Sequence, residues 1–264
     1  MPEVPKVQSN WSLEAPCFGE VAGDPRSCFV IACDHAGRRI PTELGDLGVS
    51  EADLSSHIAL DIGVAQTARK MAEVLGAHLF LQEISRLVID CNRPLSAADS
   101  IPKFSAGVPI LGNHSLSSAE IVRRQEQIFG PYHQRISDVI DGRIRMRHRT
   151  VFVAMHSFTP VYAGFVRPWH AGVLYQRDSR LGSALLRLLR DEPGLVVGDN
   201  EPYRVTDQTD YSVIQYGERR GLHHVEVEVR QDLIADSSGQ CVWGERLARL
   251  LRVAVREVSP ESRT

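Results

Sequence analysis

The stretch CFVIACDHAG, residues 28–37, contains the clearest signal for the fold. Six apolar residues, enough for one buried strand, are followed at once by Asp34 and His35. The stretch VFVAMHSFTP, residues 151–160, repeats this arrangement and places His156 after five apolar residues. Polar side chains that directly follow buried parallel strands lie where α/β sheets bind ligands. These two stretches therefore predict an α/β fold with a site at one edge of its sheet.

The rest of the chain continues the alternation of short apolar runs and helical patterns. Further strands are predicted at residues 78–81, 87–89, 172–175, 195–197 and 225–229. Helices are predicted at residues 61–75, 118–144, 179–190, 210–220 and 244–258, with Ser117 or Ser118 as a cap and Pro131 as a break. We expect a single three-layer α/β/α domain over residues 1–264, with a mixed, mostly parallel sheet. Residues 1–20 are expected to be an irregular N-terminal segment.

The composition limits the classes of function. The 264 residues are 43% hydrophobic and 24% charged, and 30 basic residues stand against 33 acidic ones. This balance argues against nucleic acid or an anionic membrane as a partner. Five scattered cysteines without a C-x-x-C pair predict reduced thiols in the cytoplasm. We find no secretory signal and no apolar stretch of membrane-spanning length.

Two histidines and two glutamates suggest metal-dependent hydrolysis. His35, His156 and the pair Glu226 and Glu228 are delivered by three different predicted strands. Neutral imidazole is a good zinc ligand, bound zinc activates water, and a nearby carboxylate can move the proton. Each residue also has a structural interpretation: the histidines as hydrogen-bonded packing residues, the glutamates as the polar side of an edge strand.

The stretch SRLVIDCNRP, residues 85–94, carries two arginines, an aspartate and an asparagine. The planar guanidinium group matches a carboxylate in two-point contact, which suits a substrate with a carboxylate. Arg86 could equally pair with Asp90 as a structural salt bridge. For Asn92 and Arg93 we favour a functional role.

Together these segments resemble the N-formylglutamate amidohydrolase family. The resemblance rests on DHAG followed by Ile40 and Pro41, on residues 85–93, on HSFTP at 156–160 and on EVRQD at 228–232. The segments RPWHAGVLY (167–175) and NEPY (200–203) are similar to its uncharacterised branch. The family is related to zinc carboxypeptidases and aspartoacylase and has a phosphorylase/hydrolase-like fold.

The resemblance implies roles for individual residues. It implies zinc binding by His35 and His156, general base and acid catalysis by Glu228, and a substrate-carboxylate clamp. The clamp would consist of Arg86, Asn92 and Arg93, and Tyr203 would line the rim of the site.

One departure concerns the third metal ligand. Carboxypeptidases use a glutamate three residues after the first histidine, and here that position is Arg38. Asp61 matches a recurrent family aspartate and is our first candidate, with Asp34 in reserve. The alternative is that Asp61 is an acid at a helix N-terminus, where the helix dipole favours it. His133 could face the pocket or be a packing residue, and His170 is expected on a loop near the rim.

We therefore expect a zinc-dependent amidohydrolase that cleaves an N-acyl amino acid such as N-formylglutamate. Co²⁺, Mn²⁺ or Fe²⁺ could replace zinc at a site with nitrogen and oxygen ligands. One alternative is a metallopeptidase or amidase acting on a larger N-blocked or cell-wall-derived substrate. Another is a relative that binds a metal or ligand without catalysis. The expected partner is a small molecule, and the oligomeric state stays open.

Overall fold

Eleven strands and six α-helices build residues 13–259, the part of the chain that the computed structural model describes. The strands are β1 (Phe18–Val21), β2 (Phe29–Cys33), β3 (His78–Gln82), β4 (Phe104–Ser105), β5 (Val108–Pro109), β6 (Val151–Phe158), β7 (Val161–Tyr162), β8 (Phe165–Val166), β9 (Ala171–Leu174), β10 (Val197–Asp199) and β11 (His223–Arg230). The helices are α1 (Glu51–Leu54), α2 (Val64–Leu75), α3 (Ser118–Arg124), α4 (Gly130–Arg145), α5 (Arg180–Arg190) and α6 (Ser237–Val258).

Seven strands form one mixed sheet in the order β1-β3-β2-β6-β11-β9-β10. The pairs β3–β2, β2–β6, β6–β11 and β9–β10 are parallel, and β1–β3 and β11–β9 are antiparallel. The prediction of a single α/β domain with a mixed, mostly parallel sheet is therefore confirmed. Strands β2, β6 and β11 lie in the centre, where both faces are covered, and this explains the nearly continuous apolar sequences of β2 and of the first five residues of β6.

The two faces of the sheet pack against different layers. Odd-numbered residues of β11, such as Val227, join α2, α5 and α6 in one apolar cluster. Even-numbered residues of β6, such as Phe152 and Ala154, face α4 and the segment Val213–Glu218. Because side chains alternate along a strand, the even-numbered residues of β11 share this second face. The second face thus contains the polar residues Glu226 and Glu228.

Local sequence explains where the helices begin and end. Ser117 caps α3 by accepting a hydrogen bond from the backbone N–H of Glu120, as one of the two predicted caps. The helix predicted at 118–144 is interrupted by a π-helical turn, Gln125–Phe129, just before Pro131. Proline lacks a backbone donor, and a π turn accommodates such a break in the ladder. The predicted break is therefore present.

Several predicted boundaries were wrong. Residues 87–89 form a buried turn instead of a strand, because Val88 N–H donates to the carbonyl of Ser85 and not to a neighbouring strand. The helix predicted from residue 61 begins at Val64, so Asp61 lies before its first turn. Residues 210–220 contain the π-helical segment Val213–Glu218, and α6 begins seven residues earlier than predicted.

Other strand predictions agree within two residues, except that β6 continues three residues past the predicted 151–155 and so includes His156. Strand β1 already begins at Phe18. The remainder of the predicted irregular segment includes residues 1–12, which lie outside the described residues.

Two small hairpins lie outside the sheet. The turn of β4–β5 has Ala106 and Gly107 at φ 46° and 84°, and the turn of β7–β8 has Ala163 and Gly164 at φ 48° and 79°. Two consecutive positive φ angles define the two-residue turn whose twist matches that of paired strands. Among the helices in residues 13–259, none is long and apolar enough to cross a membrane.

Candidate active site

Three adjacent central strands carry the predicted catalytic residues. Asp34 and His35 follow β2, His156 lies within β6, and Glu226 and Glu228 lie within β11. The parallel register pairs Glu228 with His156 directly. Because β11 lies between β6 and β9 and both glutamates are buried, they are not the polar side of an edge strand.

His35, Asp61 and His156 form a compact buried cluster. One donor atom from each residue lies within 4.8 Å of the donor atoms of the other two. Asp61 Oδ2 is 2.9 Å from Nδ1 of His156 and 3.5 Å from Nδ1 of His35. The carboxylate of Asp61 therefore faces both imidazole rings and not the first turn of α2, so its interpretation as a helix N-terminal acid was wrong.

Carboxylates also contact the outer sides of both rings. Nε2 of His35 donates to Oδ1 of Asp90 over 2.7 Å. Nε2 of His156 lies 3.7 Å from Oδ2 of Asp34, whose other oxygen accepts a hydrogen bond from the hydroxyl of Tyr132. An acidic partner of this kind fixes the ring orientation and the tautomer of a histidine.

The charges of the cluster stabilise each other. Burial alone would raise the pKa of Asp61, but the imidazoles of His35 and His156 outweigh it and lower that pKa. Burial would likewise raise the pKa of Asp90, yet Arg86 and His35 bring it well below its usual value. Burial and Arg86 lower the pKa of His35, and Asp90 with Asp61 more than offset them. Asp61 and Asp90 are therefore ionised at neutral pH.

Glu228 has the opposite character. It is buried, and its Oε2 has no hydrogen-bond partner within residues 13–259. Burial, together with the negative charge of Asp61, raises its pKa well above the usual value, against the opposing effects of Arg86 and Arg167. A carboxyl group can accept a proton in one step of a reaction and donate it in the next.

A cavity of about 500 Å³ opens over these residues. It is lined by the cluster, by both glutamates, by residues of the two hairpins and by all four predicted substrate-binding residues. Its lining includes His35, Asp61, Arg86, Asn92, Arg93, Phe104, His156, Tyr162, Tyr203, Asp210, Glu226 and Glu228. The structure thus brings together every site residue that the sequence predicted.

The residues of the predicted carboxylate clamp already make contacts within the protein. Arg86 pairs with Asp90 Oδ2 at 2.7 Å, which is the salt bridge that the sequence allowed, while its guanidinium still lines the cavity. Oδ1 of Asn92 accepts the backbone N–H groups of Tyr211 and Ser212. Arg93 donates to Asp99 over 3.0 Å.

Tyr203 is 43% exposed, and its hydroxyl accepts a hydrogen bond from Arg167 at 3.0 Å. Arg167 itself is buried, with the rings of Phe158, Tyr162 and Tyr203 within 5.6 Å. No spacing in the sequence indicated this arginine.

Two other histidines do not line the cavity. His133 is buried, donates from Nε2 to the carbonyl of Cys91 and contacts the hydroxyl of Tyr216, so it occupies the packing position that was one of two alternatives. His170 is half-buried and its Nδ1 accepts the backbone N–H of Val196.

Sequence reasoning missed two acidic residues near the cluster. Asp90 was considered only as a partner of Arg86, although it also contacts His35. Asp210, buried beside the cavity, stood merely at the start of a predicted helix. The four-residue spacing between Arg86 and Asp90 was the one signal available for Asp90. Side chains at this spacing can form an ion pair in a turn or a helix but lie too far apart on an extended strand.

The cluster fits a divalent transition metal. Two imidazoles and one carboxylate are the donor set of catalytic zinc sites with three protein ligands. Nδ1 of His35 is buried and has no hydrogen-bond partner in the described part of the chain, and it points to the same carboxylate oxygen as His156. The contact from Asp90 to the other nitrogen of His35 is the outer arrangement that metal-binding histidines use.

The fold and the site define an amidohydrolase. The family model for N-formylglutamate amidohydrolase matches residues 27–235, which is most of the chain. The chain therefore belongs to the N-formylglutamate amidohydrolase family, and it is a hydrolase of amide bonds.

Two solved structures are similar along almost their whole length. A gene product of Agrobacterium tumefaciens is 35% identical with a TM-score of 0.89, and the match covers 93% of this chain and 97% of that one. The N-formylglutamate amidohydrolase of Ralstonia eutropha is 19% identical with a TM-score of 0.64, over 91% and 98% of the two chains, and supports the fold. A search of curated proteins gave no match.

Proposed function

We propose that this protein is a zinc-dependent hydrolase of N-acyl amino acids, and that N-formylglutamate is the first substrate to test. The observation that carries the proposal is the buried His35–Asp61–His156 cluster directly beside Glu228. Family membership supports the amide bond as the target and a small molecule as the substrate.

The proposal assigns the metal to His35, Asp61 and His156, with Asp34 as an outer partner of His156. When bound there, zinc would polarise the amide carbonyl and lower the pKa of water. Asp90 would hold the ring of His35 in position through Nε2. Placement of Asp34 outside the ligand set agrees with its 3.7 Å distance to the outer nitrogen of His156.

Glu228 would move the proton. Its carboxylate takes a proton from the attacking water and then delivers it to the leaving nitrogen, so that the amine departs neutral. Burial raises its pKa and so makes the carboxylate a stronger base for the first transfer. Because Glu228 and His156 are register partners on adjacent strands, the base and the cluster keep a fixed separation.

The substrate carboxylate would be held by Arg86 and Arg93, with Asn92 and Tyr203 beside them. Both guanidinium groups line the cavity, and planar guanidinium groups match carboxylates. Asn92 would act by holding the segment at Tyr211 and Ser212 in place. Tyr203, whose hydroxyl accepts a hydrogen bond from Arg167, would line the cavity around the substrate.

A second candidate is an amidase or peptidase that acts on a larger N-blocked molecule. Pockets of roughly 300–1,000 Å³ hold drug-sized ligands, and the cavity here is about 500 Å³. Phe104 and Tyr162, which line it, are 62% and 48% exposed. These aromatic rings could contact an acyl group much larger than formyl.

The deciding experiment measures metal content and hydrolysis of N-formylglutamate together, on wild type, His156→Ala and Glu228→Gln. We expect one zinc per chain in wild type and Glu228→Gln, loss of zinc in His156→Ala, and loss of activity in both variants. Glu73→Gln, an exposed glutamate on α2, is the matched control and should behave as wild type.

Other results would revise the proposal. Zinc-loaded wild type that cleaves larger N-blocked substrates but not formylglutamate would favour the second candidate. Zinc binding without any product would indicate a non-catalytic relative. Wild type that binds no divalent metal would contradict the proposed mechanism.

We also propose that the enzyme acts in the cytoplasm. All five cysteines are unpaired, and Cys17, Cys33 and Cys91 are buried. Reduced thiols are typical of that compartment.

A further inference from the structure

Glu226 places a carboxyl group where the sheet offers it no partner. It lies in the central strand β11, in register with Ala154 on one side and Leu174 on the other. The residue is 2% exposed, and its Oε2 has no hydrogen-bond partner within residues 13–259. Burial of a carboxyl group without a partner costs folding free energy.

The fold itself gives no reason for a glutamate here. The neighbouring residues Val225 and Val227 are buried and apolar, and an apolar side chain at position 226 would avoid the cost of burial. The group does face the active-site cavity, because Glu226 is among its lining residues. A ligand group within that cavity would therefore explain the glutamate.

A second buried acid lines the same cavity. Asp210 is 7% exposed, and its carboxylate is held in place by the backbone N–H of Thr206, the hydroxyl of Thr209 and, at 3.4 Å, the amide of Asn92. These contacts orient Asp210 firmly.

Negative charge dominates this part of the cavity. Burial and the charges of Asp210, Glu228 and Asp34 raise the pKa of Glu226 well above its usual value, and Arg93 opposes them. The pKa of Asp210 is raised as well, chiefly by burial. A cation placed between the two carboxyl groups would relieve their repulsion and favour their ionised forms.

Glu226 and the proposed proton carrier Glu228 are two residues apart on β11. Residues two apart on a strand lie on the same face, about 6.6 Å from each other. A group that contacts Glu226 thus belongs to a part of the substrate a few bonds away from the amide that Glu228 serves.

We propose that Glu226 and Asp210 form a subsite for a protonated amine on the substrate, such as the side-chain ammonium group of an N-acylated basic amino acid. The inference rests on the proposed amidohydrolase function and names its substrate class. Arg86 and Arg93 would hold the carboxylate of the same molecule. An N-acyl amino acid without the amine would lack this contact.

The test compares Nα-formyl-lysine with Nα-formyl-norleucine, which is nearly isosteric but lacks the charge. For wild type we expect kcat/KM to favour the lysine compound roughly tenfold or more, as a hydrogen-bonded charge contact would give. Glu226→Gln keeps the shape and should lose the preference, while Glu73→Gln should keep it. An equal preference in wild type and Glu226→Gln would overturn the subsite.

A binding measurement separates this inference from the proposed function. Calorimetry with L-lysine and L-norleucine detects the side-chain ammonium group without any hydrolysis. Lysine-selective binding that Glu226→Gln abolishes would support the subsite even if no N-acyl amino acid were cleaved, and in that case only the proposed function fails. Wild type that shows no selectivity for lysine in either assay contradicts the subsite.

Discussion

Glu228 and His156 are direct register partners on the parallel strands β11 and β6. Their side chains share the face of the sheet that opens into the cavity. Backbone hydrogen bonds between two buried strands therefore fix the distance between the proposed proton carrier and the proposed metal cluster. Such preorganisation on rigid elements is what general acid–base catalysis requires.

Replacement of Glu228 by glutamine should separate catalysis from metal binding. We expect kcat to fall by roughly 10²- to 10⁴-fold, the usual contribution of a positioned proton carrier. Metal content should stay at the wild-type value, because Glu228 is outside the cluster. Steady-state kinetics and elemental analysis on the same preparation give both quantities. A variant that keeps its activity would exclude Glu228 as the base.

The third metal ligand can be identified by comparison of Asp61→Asn with Asp34→Asn. Asp61 Oδ2 faces Nδ1 of both histidines, whereas Asp34 contacts only the outer nitrogen of His156. We expect Asp34→Asn to weaken zinc binding by roughly 10- to 100-fold, as for an outer partner, and Asp61→Asn to weaken it more. Competition with a chromophoric chelator measures both affinities. The reverse order would make Asp34 the ligand.

Asp90 should control the ring of His35. Asp90→Asn keeps the side-chain shape but removes the charge that Nε2 of His35 contacts at 2.7 Å. We expect zinc affinity to fall by roughly 10- to 100-fold. The variant also removes the acid that pairs with Arg86, so KM for a carboxylate substrate should be followed separately. Unchanged zinc affinity would mean that Asp90 serves Arg86 alone.

The aromatic residues at the cavity mouth distinguish the two candidate functions. Phe104 and Tyr162 belong to different hairpins and line the cavity. If the natural acyl group is large and apolar, Phe104→Ala or Tyr162→Ala should raise KM roughly tenfold for such a substrate. KM for the formyl compound should then be unaffected. Equal effects on both compounds would argue against an acyl contact.

Much of this arrangement could be predicted from the sequence because it depends on strands. His35 and His156 follow apolar runs, and Glu228 alternates with valines; both patterns are signs of buried strands. Because the strands are parallel, their carboxyl ends lie on the same side of the sheet, and this brings the three residues together.

Contacts made by loops could not be predicted in the same way. The apolar residues Leu87 and Val88 suggested a strand but lie in a buried turn, because their backbone bonds go to local groups. Asp210 and Arg167 reach the site or its rim from irregular segments, where no periodicity indicates direction. Asp61 lies just before α2, and its carboxylate contacts His156; helix propensity does not indicate such a contact.

His133 should make the stability of the protein dependent on pH. Burial lowers its pKa to about 3, against an ordinary value near 6.5. Between these values the unfolded chain binds a proton that the folded chain does not, so the free energy of unfolding falls as the pH falls. The slope from this residue is about 1.4 kcal/mol per pH unit below pH 6.5.

Denaturant titrations of wild type and His133→Gln at several pH values would measure that slope. Above pH 7.5 both side chains are neutral, and the two proteins should differ by a constant amount. Below pH 6.5 wild type should lose stability faster than the variant. Parallel curves at all pH values would show that His133 is protonated in the folded state.

The two hairpins at the cavity mouth end in turns that are surrounded by open space. A side chain built at Gly107 or Gly164 would have no atom within 4 Å, and both glycines have positive φ. There is therefore room for these turns to lengthen, while the positive φ angles favour glycine at the two positions. The hairpin tips and the segments that carry His35, His156 and Glu228 are separate parts of the chain, so relatives can diverge at the mouth of the cavity while they retain those three residues.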